Sequence, residues 1–285
     1  MYFRGQLFLS LAVAAALLPA QEATENPVRA LLKAGRPAVG ATITLASPEV
    51  AAQTASLGFD FLWIEMEHSP ITLETARNMI LATRGLKAIP FIRVPVNELW
   101  TAKRSLDMGA LGVIFPFTST PELARQAVAA CKYPPLGKRG AGAGLASWRW
   151  PAPEGYSDFA DRNAMVVIII EEKRAVEKID EIAAVPGIDV IFIGVNDLSF
   201  SYGHRGRQNV AEVQEAIRKI VAAAKRNNLP VGRPAGSAVD IERYRGEGFS
   251  FFQASSDLGF LAAGARELLA PLGKGGTGAP QRPLY

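Results

Sequence analysis

Cysteine is nearly absent from this chain: Cys131 is the only one in 285 residues. That excludes an intrachain disulfide framework and any zinc site built from several thiolates. Cys131 closes the helical pattern Leu123-Ala124-Arg125-Gln126-Ala127-Val128-Ala129-Ala130, so a small packed residue is expected there and a catalytic thiol is not. Histidine is almost as scarce, and His68 and His204 are the two candidates for imidazole chemistry. Neither charge sign dominates: 31 Lys and Arg face 27 Asp and Glu, a formal net charge of +4. So mild and even a balance leaves no electrostatic footprint for nucleic acid, and no nucleic-acid partner is expected. Long repeats and low-complexity domains are also missing.

Residues 1–20 read as a secretory signal. Arg4 marks a short basic region, Leu7 to Leu18 supply an apolar stretch, and Pro19-Ala20 offers a small residue at a cleavage point. Cleavage after Ala20 and export to the periplasm are expected. Leu18 is larger than the residue preferred three positions before cleavage, which leaves an uncleaved anchor open, although the run is short for about 30 Å of hydrocarbon and no stable membrane span is expected. A buried N-terminal helix, and with it a cytoplasmic protein, is the other reading. Removing residues 1–20 takes away Arg4 and no acid, so the formal charge falls from +4 to +3 and the conclusion about nucleic acid stands.

From residue 37 onward, apolar β-branched runs alternate with stretches of helical period, the pattern of parallel strands crossed by helices. Eight strand candidates can be counted: Ala38–Leu45, Asp60–Glu67, Ala88–Val94, Gly112–Phe117, Met165–Glu171, Asp189–Val195, Pro230–Pro234 and Ser250–Ala254. Eight closes a barrel, and a barrel of about 250 residues consumes nearly all of the chain. The expected fold is therefore an α/β (β/α)8 TIM barrel, with one catalytic domain over residues 21–272 and a flexible tail over 273–285, where Gly-Lys-Gly-Gly-Thr-Gly and Pro-rich sequence lack periodicity. Thr72 and Thr120-Pro121 carry helix-start chemistry, and Gly85, Gly109 and Gly248 mark helix stops. Residues 134–164 are long for a barrel connection, and Gly140-Ala141-Gly142-Ala143-Gly144 beside Lys138 and Arg139 reads most simply as a mobile lid; it lacks the ending of a P-loop.

In such a barrel the site lies at the carboxyl-terminal ends of the strands, so the polar residues that end each apolar run are the informative ones. Strand two ends in Glu65-Met66-Glu67-His68, strand three in Arg93, strand five in Glu171 and strand six in Asn196-Asp197. Glu171 and Asp197, from neighbouring strands, place two carboxylates on one rim, the donor set of a hard divalent ion such as Mg²⁺ or Mn²⁺. Either acid alone could instead cap the following helix. Substrate could complete the shell through a 2-keto acid, whose ketone the metal would polarise as a Lewis acid. His68 has acids at 65 and 67 that can orient its ring for general acid/base work, and a structural role is equally open. A guanidinium at Arg93 is costly to bury without an anion, so either a bound carboxylate or enolate or an internal ion pair with nearby acids should meet it. His204, in Tyr-Gly-His-Arg-Gly, reads as an ordinary loop residue.

Glu65-Met66-Glu67-His68-Ser69-Pro70, Tyr133-Pro134-Pro135-Leu136-Gly137-Lys138-Arg139-Gly140 and Phe192-Ile193-Gly194-Val195-Asn196-Asp197-Leu198-Ser199 occur in that order. With them the chain resembles the HpcH/HpaI aldolase/citrate lyase family over about residues 27 to 270. The resemblance implies a barrel of the phosphoenolpyruvate/pyruvate-binding type and a class II aldolase that cleaves or forms 4-hydroxy-2-keto acids through a metal-bound pyruvate enolate, with a 2-keto acid and an aldehyde as partners. It implies Glu171 and Asp197 as ligands of Mg²⁺ or Mn²⁺, with Co²⁺ a third candidate. It further implies Arg93 as holder of the keto acid and enolate, His68 as acid/base working through water, Asp107 as the partner of His68 in a dyad, and Asn196 with Asp197 at the substrate. A homo-oligomer, by resemblance a hexamer in which Leu258 to Leu269 pack on a neighbour, is implied as well.

Three positions depart from the family pattern. Ile169 stands where Gln is common, Glu65 where Asp is usual, and Asn196 where a small residue presents its backbone to substrate. They put the usual substrates in doubt and keep two other readings open. One is a citrate-lyase-like cleavage of a CoA thioester, for which no extended basic groove is evident. The other is an exported metal-containing barrel that binds a carboxylated ligand without turnover; retention of Arg93, His68 and Asp107 argues against it.

Overall fold

The structure is a computed structural model that describes residues 25–274. The signal expected at 1–20 and nearly all of the tail expected at 273–285 lie outside the described residues.

In chain order the elements are α1 (Pro27–Lys33), β1 (Ala38–Ile43), α2 (Pro48–Ser56), β2 (Phe61–Glu65), α3 (Leu73–Ala82), β3 (Ile89–Arg93), α4 (Leu99–Asp107) and β4 (Gly112–Phe115). Then come α5 (Pro121–Cys131), α6 (Gly144–Arg149), α7 (Tyr156–Asn163), β5 (Met165–Ile170), α8 (Lys173–Glu177), α9 (Ile179–Ala183), β6 (Val190–Ile193) and α10 (Val195–Ser201). The chain continues with α11 (Ala211–Arg226), β7 (Val231–Pro234), α12 (Ala238–Gly246), β8 (Phe251–Ser256) and α13 (Asp257–Leu269). All eight strands pair in parallel in the order β1 to β8, and β8 returns to β1, closing the barrel. The (β/α)8 expectation holds.

The strands are apolar on both faces because both are covered. Phe61, Trp63, Phe91, Val167, Ile169, Phe192 and Phe251 point inward, whereas Leu62, Ile64, Ile92, Val166, Ile168, Ile170 and Phe252 pack outward against the helices. Phe61 stacks on Phe251 with ring centroids 4.4 Å apart, a size of side chain that a narrow barrel holds only if neighbours are small. Gly40 and Gly112 supply that space: a Cβ at either would run into the ring of Phe61 or Phe91. Helix boundaries follow local chemistry. Thr72 and Thr120 accept from the backbone N–H groups of Thr75 and Leu123, and Gly85, Gly109 and Gly248 have φ of +80°, +104° and +98°.

One expectation is overturned. Residues 132–164 leave the carboxyl-terminal end of α5 and enter the amino-terminal end of β5, so chain order puts them at the end of the barrel away from the carboxyl-terminal strand ends. There they form a plug instead of a lid over the chain's own cavity. Trp150 donates from Nε1 to the Gly109 carbonyl (2.9 Å), Phe159 is buried in the inner core, and Arg149 donates to the carbonyls of Ile80 and Thr83 that end α3. Cys131 is buried, and burial pushes its thiol up to about 12, in keeping with a packed residue. Among the described residues no helix is long and apolar enough to cross a membrane.

Candidate active site

At the carboxyl-terminal end of the strands the barrel opens into a cavity of about 710 Å³. His68, Arg93, Glu171, Asn196 and Asp197 all line it. Glu65, Arg93 and Glu171 arrive there by strand parity: side chains alternate inward and outward, so the inward series Phe61, Trp63 places Glu65 inward, Ile89, Phe91 places Arg93 inward, and Val167, Ile169 leads to Glu171.

Glu65 is the hub of one side. Its carboxylate is almost wholly buried and meets four donors: Trp63 Nε1 (3.1 Å) and Arg93 Nε (2.6 Å) reach Oε2, while the backbone N–H groups of Glu67 (2.7 Å) and His68 (3.1 Å) reach Oε1. The turn that carries His68 is therefore built on Glu65. Glu67 stands between Arg93 and His68, with Oε2 3.0 Å from Arg93 Nη1 and 3.5 Å from His68 Nε2. Burial raises the Glu67 carboxyl above its ordinary range, against the pull of Arg93 and His68. His68 is half-exposed at the cavity rim, so its ring can reach both solvent and a bound molecule. Arg93 thus forms the internal ion pair that the sequence left as one of two readings, yet it still lines the cavity, with Nη2 uncommitted to either acid.

Across the ring, Glu171 is buried and its Oε1 accepts the backbone N–H of Phe117 at 2.7 Å. Phe117 donates from the left-handed region, with φ of +47°, an uncommon conformation for a bulky residue. Burial pushes the Glu171 carboxyl up to about 7, with the Phe117 N–H pulling the other way and the charges of Glu67 and Asp197 adding to the rise. A Cβ on Gly194 would lie 2.6 Å from Glu171 Oε2, so glycine there is what lets this oxygen stand where it does. Asp197 sits in the first turn of α10 and lines the same cavity.

These features fit a hard divalent cation. Two carboxylates share one rim, and a buried carboxyl held near 7 by desolvation and like charge is one that a cation beside it would favour as carboxylate. Among the described residues no group of three or more His, Cys, Asp or Glu is arranged to hold a metal. The donor set therefore suits an ion that keeps waters or takes substrate oxygens, and not a zinc site with three or four protein ligands.

Asp107 is not brought to this site. It ends α4, which runs from the top of β3 back to the bottom of β4, and Arg139 Nη2 meets its Oδ1 at 2.8 Å. Asp107 and His68 lie at opposite ends of the barrel, so within one chain the dyad implied by resemblance is not formed. His204 pairs with Glu212 (2.9 Å) and does not line the cavity, as a loop residue should. The sequence reading missed the far wall, where Thr42, Gln253 and Ser255 line the cavity. The signal for Gln253 was a polar residue directly after Phe251-Phe252, two places on from the inward Phe251. Nothing local marks Phe117 as the donor to Glu171.

With this geometry in hand, the comparisons agree with one another. A family model described as HpcH/HpaI aldolase/citrate lyase matches residues 40–263. A 5-keto-4-deoxy-D-glucarate aldolase of Salmonella arizonae is 35% identical over 243 residues, covering 85% of this chain and 95% of that protein. A 2-dehydro-3,6-dideoxy-6-sulfogluconate aldolase of Pseudomonas putida is 34% identical over 242 residues, again covering 85% and 95%. The crystal structure of a family protein from Burkholderia cenocepacia superposes with a TM-score of 0.81 at 32% identity, covering 87% of this chain and 99% of the other.

Proposed function

The chain belongs to the HpcH/HpaI aldolase/citrate lyase family and is a carbon–carbon lyase, and from that premise we propose that it is a divalent-metal-dependent aldolase cleaving or forming 4-hydroxy-2-keto acids, with pyruvate as the keto-acid half. The observation that carries this reading is the convergence of Glu171, Asp197, Arg93 and His68 on one cavity at the carboxyl-terminal strand ends. The relatives support the substrate class, since both are named for aldolase action on keto-deoxy sugar acids.

Glu171 and Asp197 would hold Mg²⁺ or Mn²⁺, with Co²⁺ a third candidate, which when bound polarises the 2-keto group as a Lewis acid. Arg93 offers Nη2 to the negative charge that grows on the keto-acid oxygens, and its other nitrogens are fixed by Glu65 and Glu67 so that little reorganisation is needed. His68, at the rim, moves the proton to and from the methyl carbon through water, and Glu67 orients its ring. Asn196 and Asp197 flank the substrate at the start of α10. A CoA-thioester reading gains no support, because Arg93 is the one Lys or Arg among the described residues lining the cavity.

Export with residues 1–20 as a cleaved signal belongs to the same proposal, and a mature N-terminus at Gln21 on protein recovered from the periplasm is the expected result. So does a homo-oligomer, supported by the apolar side chains that α13 leaves exposed.

The test is exchange of pyruvate methyl protons with deuterated water in the presence of Mn²⁺ or Mg²⁺, followed by NMR. Wild type should exchange. His68→Ala should slow exchange by about 10²-fold or more while still binding Mn²⁺ in calorimetry, and Glu171→Gln should lose the Mn²⁺ heat itself. A wild type that binds Mn²⁺ and pyruvate but never exchanges would favour the binder without turnover.

A further inference from the structure

The wall of the cavity opposite the two rim carboxylates has a chemistry of its own. In a ring of eight strands β1 stands across from β5, so Thr42 of β1 and Gln253 of the neighbouring β8 face the side where Glu171 follows β5, whereas the Ser255 hydroxyl lies against Gly259 of α13. Among the described residues, the Gln253 amide and the Thr42 hydroxyl line this cavity and make no hydrogen bond. Their neighbours differ. Ser256 Oγ already accepts the Gly259 N–H (3.1 Å), and the Gln253 backbone carbonyl already accepts the Ala235 N–H (2.9 Å). What the wall offers is therefore two neutral groups that can both donate and accept, held on rigid strands.

Charge points the same way. The cavity is lined by the carboxylates of Glu65, Glu171 and Asp197, and its one guanidinium, Arg93, is already paired with Glu65 and Glu67. A bound divalent ion and a pyruvate carboxylate would leave no cation spare for a second anion. A carboxylate or sulfonate pushed against Thr42 and Gln253 would be desolvated without a counter-charge, whereas hydroxyl groups would find partners for their lone pairs and protons.

We propose that this wall selects the aldehyde half of the substrate, taking a hydroxylated, uncharged aldehyde in preference to one that ends in an anion. The inference rests on the pyruvate-aldolase reading above. In the synthetic direction the pyruvate methyl loses a proton to the His68 side, its carbon forms the new bond to the aldehyde carbon, and the aldehyde oxygen takes the electron pair and a proton to become the 4-hydroxyl. Gln253 holds the hydroxyls beyond that carbon, and Thr42 bounds them from β1.

The experiment is aldol addition of pyruvate to a panel of aldehydes of matched length with Mn²⁺ present, run beside the methyl-proton exchange. Glycolaldehyde and glyceraldehyde should have kcat/KM values about tenfold or more above semialdehydes ending in carboxylate or sulfonate, the scale of one or two well-made hydrogen bonds. Gln253→Ala and Thr42→Val should each raise the KM for glyceraldehyde several-fold with a smaller change in kcat, and Gln253→Arg should shift preference toward the carboxylate-ended aldehyde. Exchange with no preference, or with preference for the anionic aldehydes, overturns the inference and leaves the aldolase reading standing. Absence of exchange overturns both. The wild-type panel decides the matter even if a variant does not fold.

Discussion

Glu171 is placed at a cost to the fold that its proposed function explains. Folding raises its carboxyl from the ordinary 4.5 to about 7, chiefly by burial, so the folded state binds this proton more tightly than the unfolded chain does. In protein stripped of divalent ions that contribution is fully present below about pH 4.5 and is lost as pH climbs through about 7, to a limit of about 3 kcal/mol. Urea titrations of ion-free protein should therefore show a midpoint that falls between about pH 5 and 8 on Glu171's account, and Mn²⁺ should restore it. Glu171→Gln cannot ionise at this position; it should flatten that pH dependence, stand above the ion-free wild type at pH 8, and gain nothing from Mn²⁺. A wild-type midpoint that rises over the same interval, or a variant that Mn²⁺ still stabilises, would contradict this account. At the same scale the sequence was informative where a charge interrupts an apolar run. Glu171, Arg93 and His68 stood out because an ionisable group at a strand end must meet a partner, and the structure gathers them on one cavity. Thr42 and Ser255 did not stand out, because a neutral hydroxyl within a strand raises no such demand, and Phe117 acts through its backbone, which side-chain chemistry cannot announce.

The elements were legible from apolar period, and their ends less so. The second strand was expected over Asp60–Glu67 and runs Phe61–Glu65; the fourth was expected to Phe117 and stops at Phe115. In both cases the excess is the segment past the strand end where the chain turns over the cavity, extended enough to read as strand but paired with side chains instead of a ladder. The connection at 132–164 was misread for a different reason. Its short helices α6 and α7 carry no long period, and its glycines suggested mobility, but a segment running from a helix to a strand must lie at the amino-terminal end of the barrel. Arg149 fastens it there. The guanidinium is buried, donates to the last carbonyls of α3 and to Thr83 Oγ1 (3.2 Å), and is lowered to about 10 by burial, so it remains charged at neutral pH. Arg149→Ala would remove these charge-assisted bonds and leave each carbonyl one donor, Thr83 Oγ1 for Ile80 and the Leu86 N–H for Thr83, and a loss of about 1–3 kcal/mol is expected in denaturant titrations. Mn²⁺ affinity per folded molecule should stay at the wild-type value, since Glu171 and Asp197 lie at the other end of the barrel. A variant as stable as wild type would mean that the plug is held elsewhere, with Trp150 and its bond to Gly109 the next candidate.

At the scale of the molecule, α13 is a long helix that the chain leaves largely uncovered. It spans Asp257–Leu269, and Asp257 is its one buried residue. That residue is a firm anchor: its carboxylate accepts from Thr44 N–H (2.9 Å), Thr44 Oγ1 (2.6 Å) and Leu45 N–H (2.8 Å), tying the start of the helix to the end of β1. Beyond the anchor, Leu261 and Leu268 are 67% and 71% exposed, with Phe260 and, in the following turn, Leu272 also open to solvent. A contiguous apolar face on an otherwise well-packed barrel is the usual mark of an interaction surface, and a mild net charge of +4 sets little repulsion against self-association. Light scattering on a sizing column should therefore give a mass that is a multiple of the chain, and melting temperature should rise with protein concentration. Leu261→Glu with Leu268→Glu should convert the protein to monomer. Because neither side chain is buried within its own chain, the monomer should keep its circular dichroism and a cooperative transition. A wild type that is monomeric at every concentration would refute the assembly, and a double variant that unfolds outright would show that these leucines support the barrel itself.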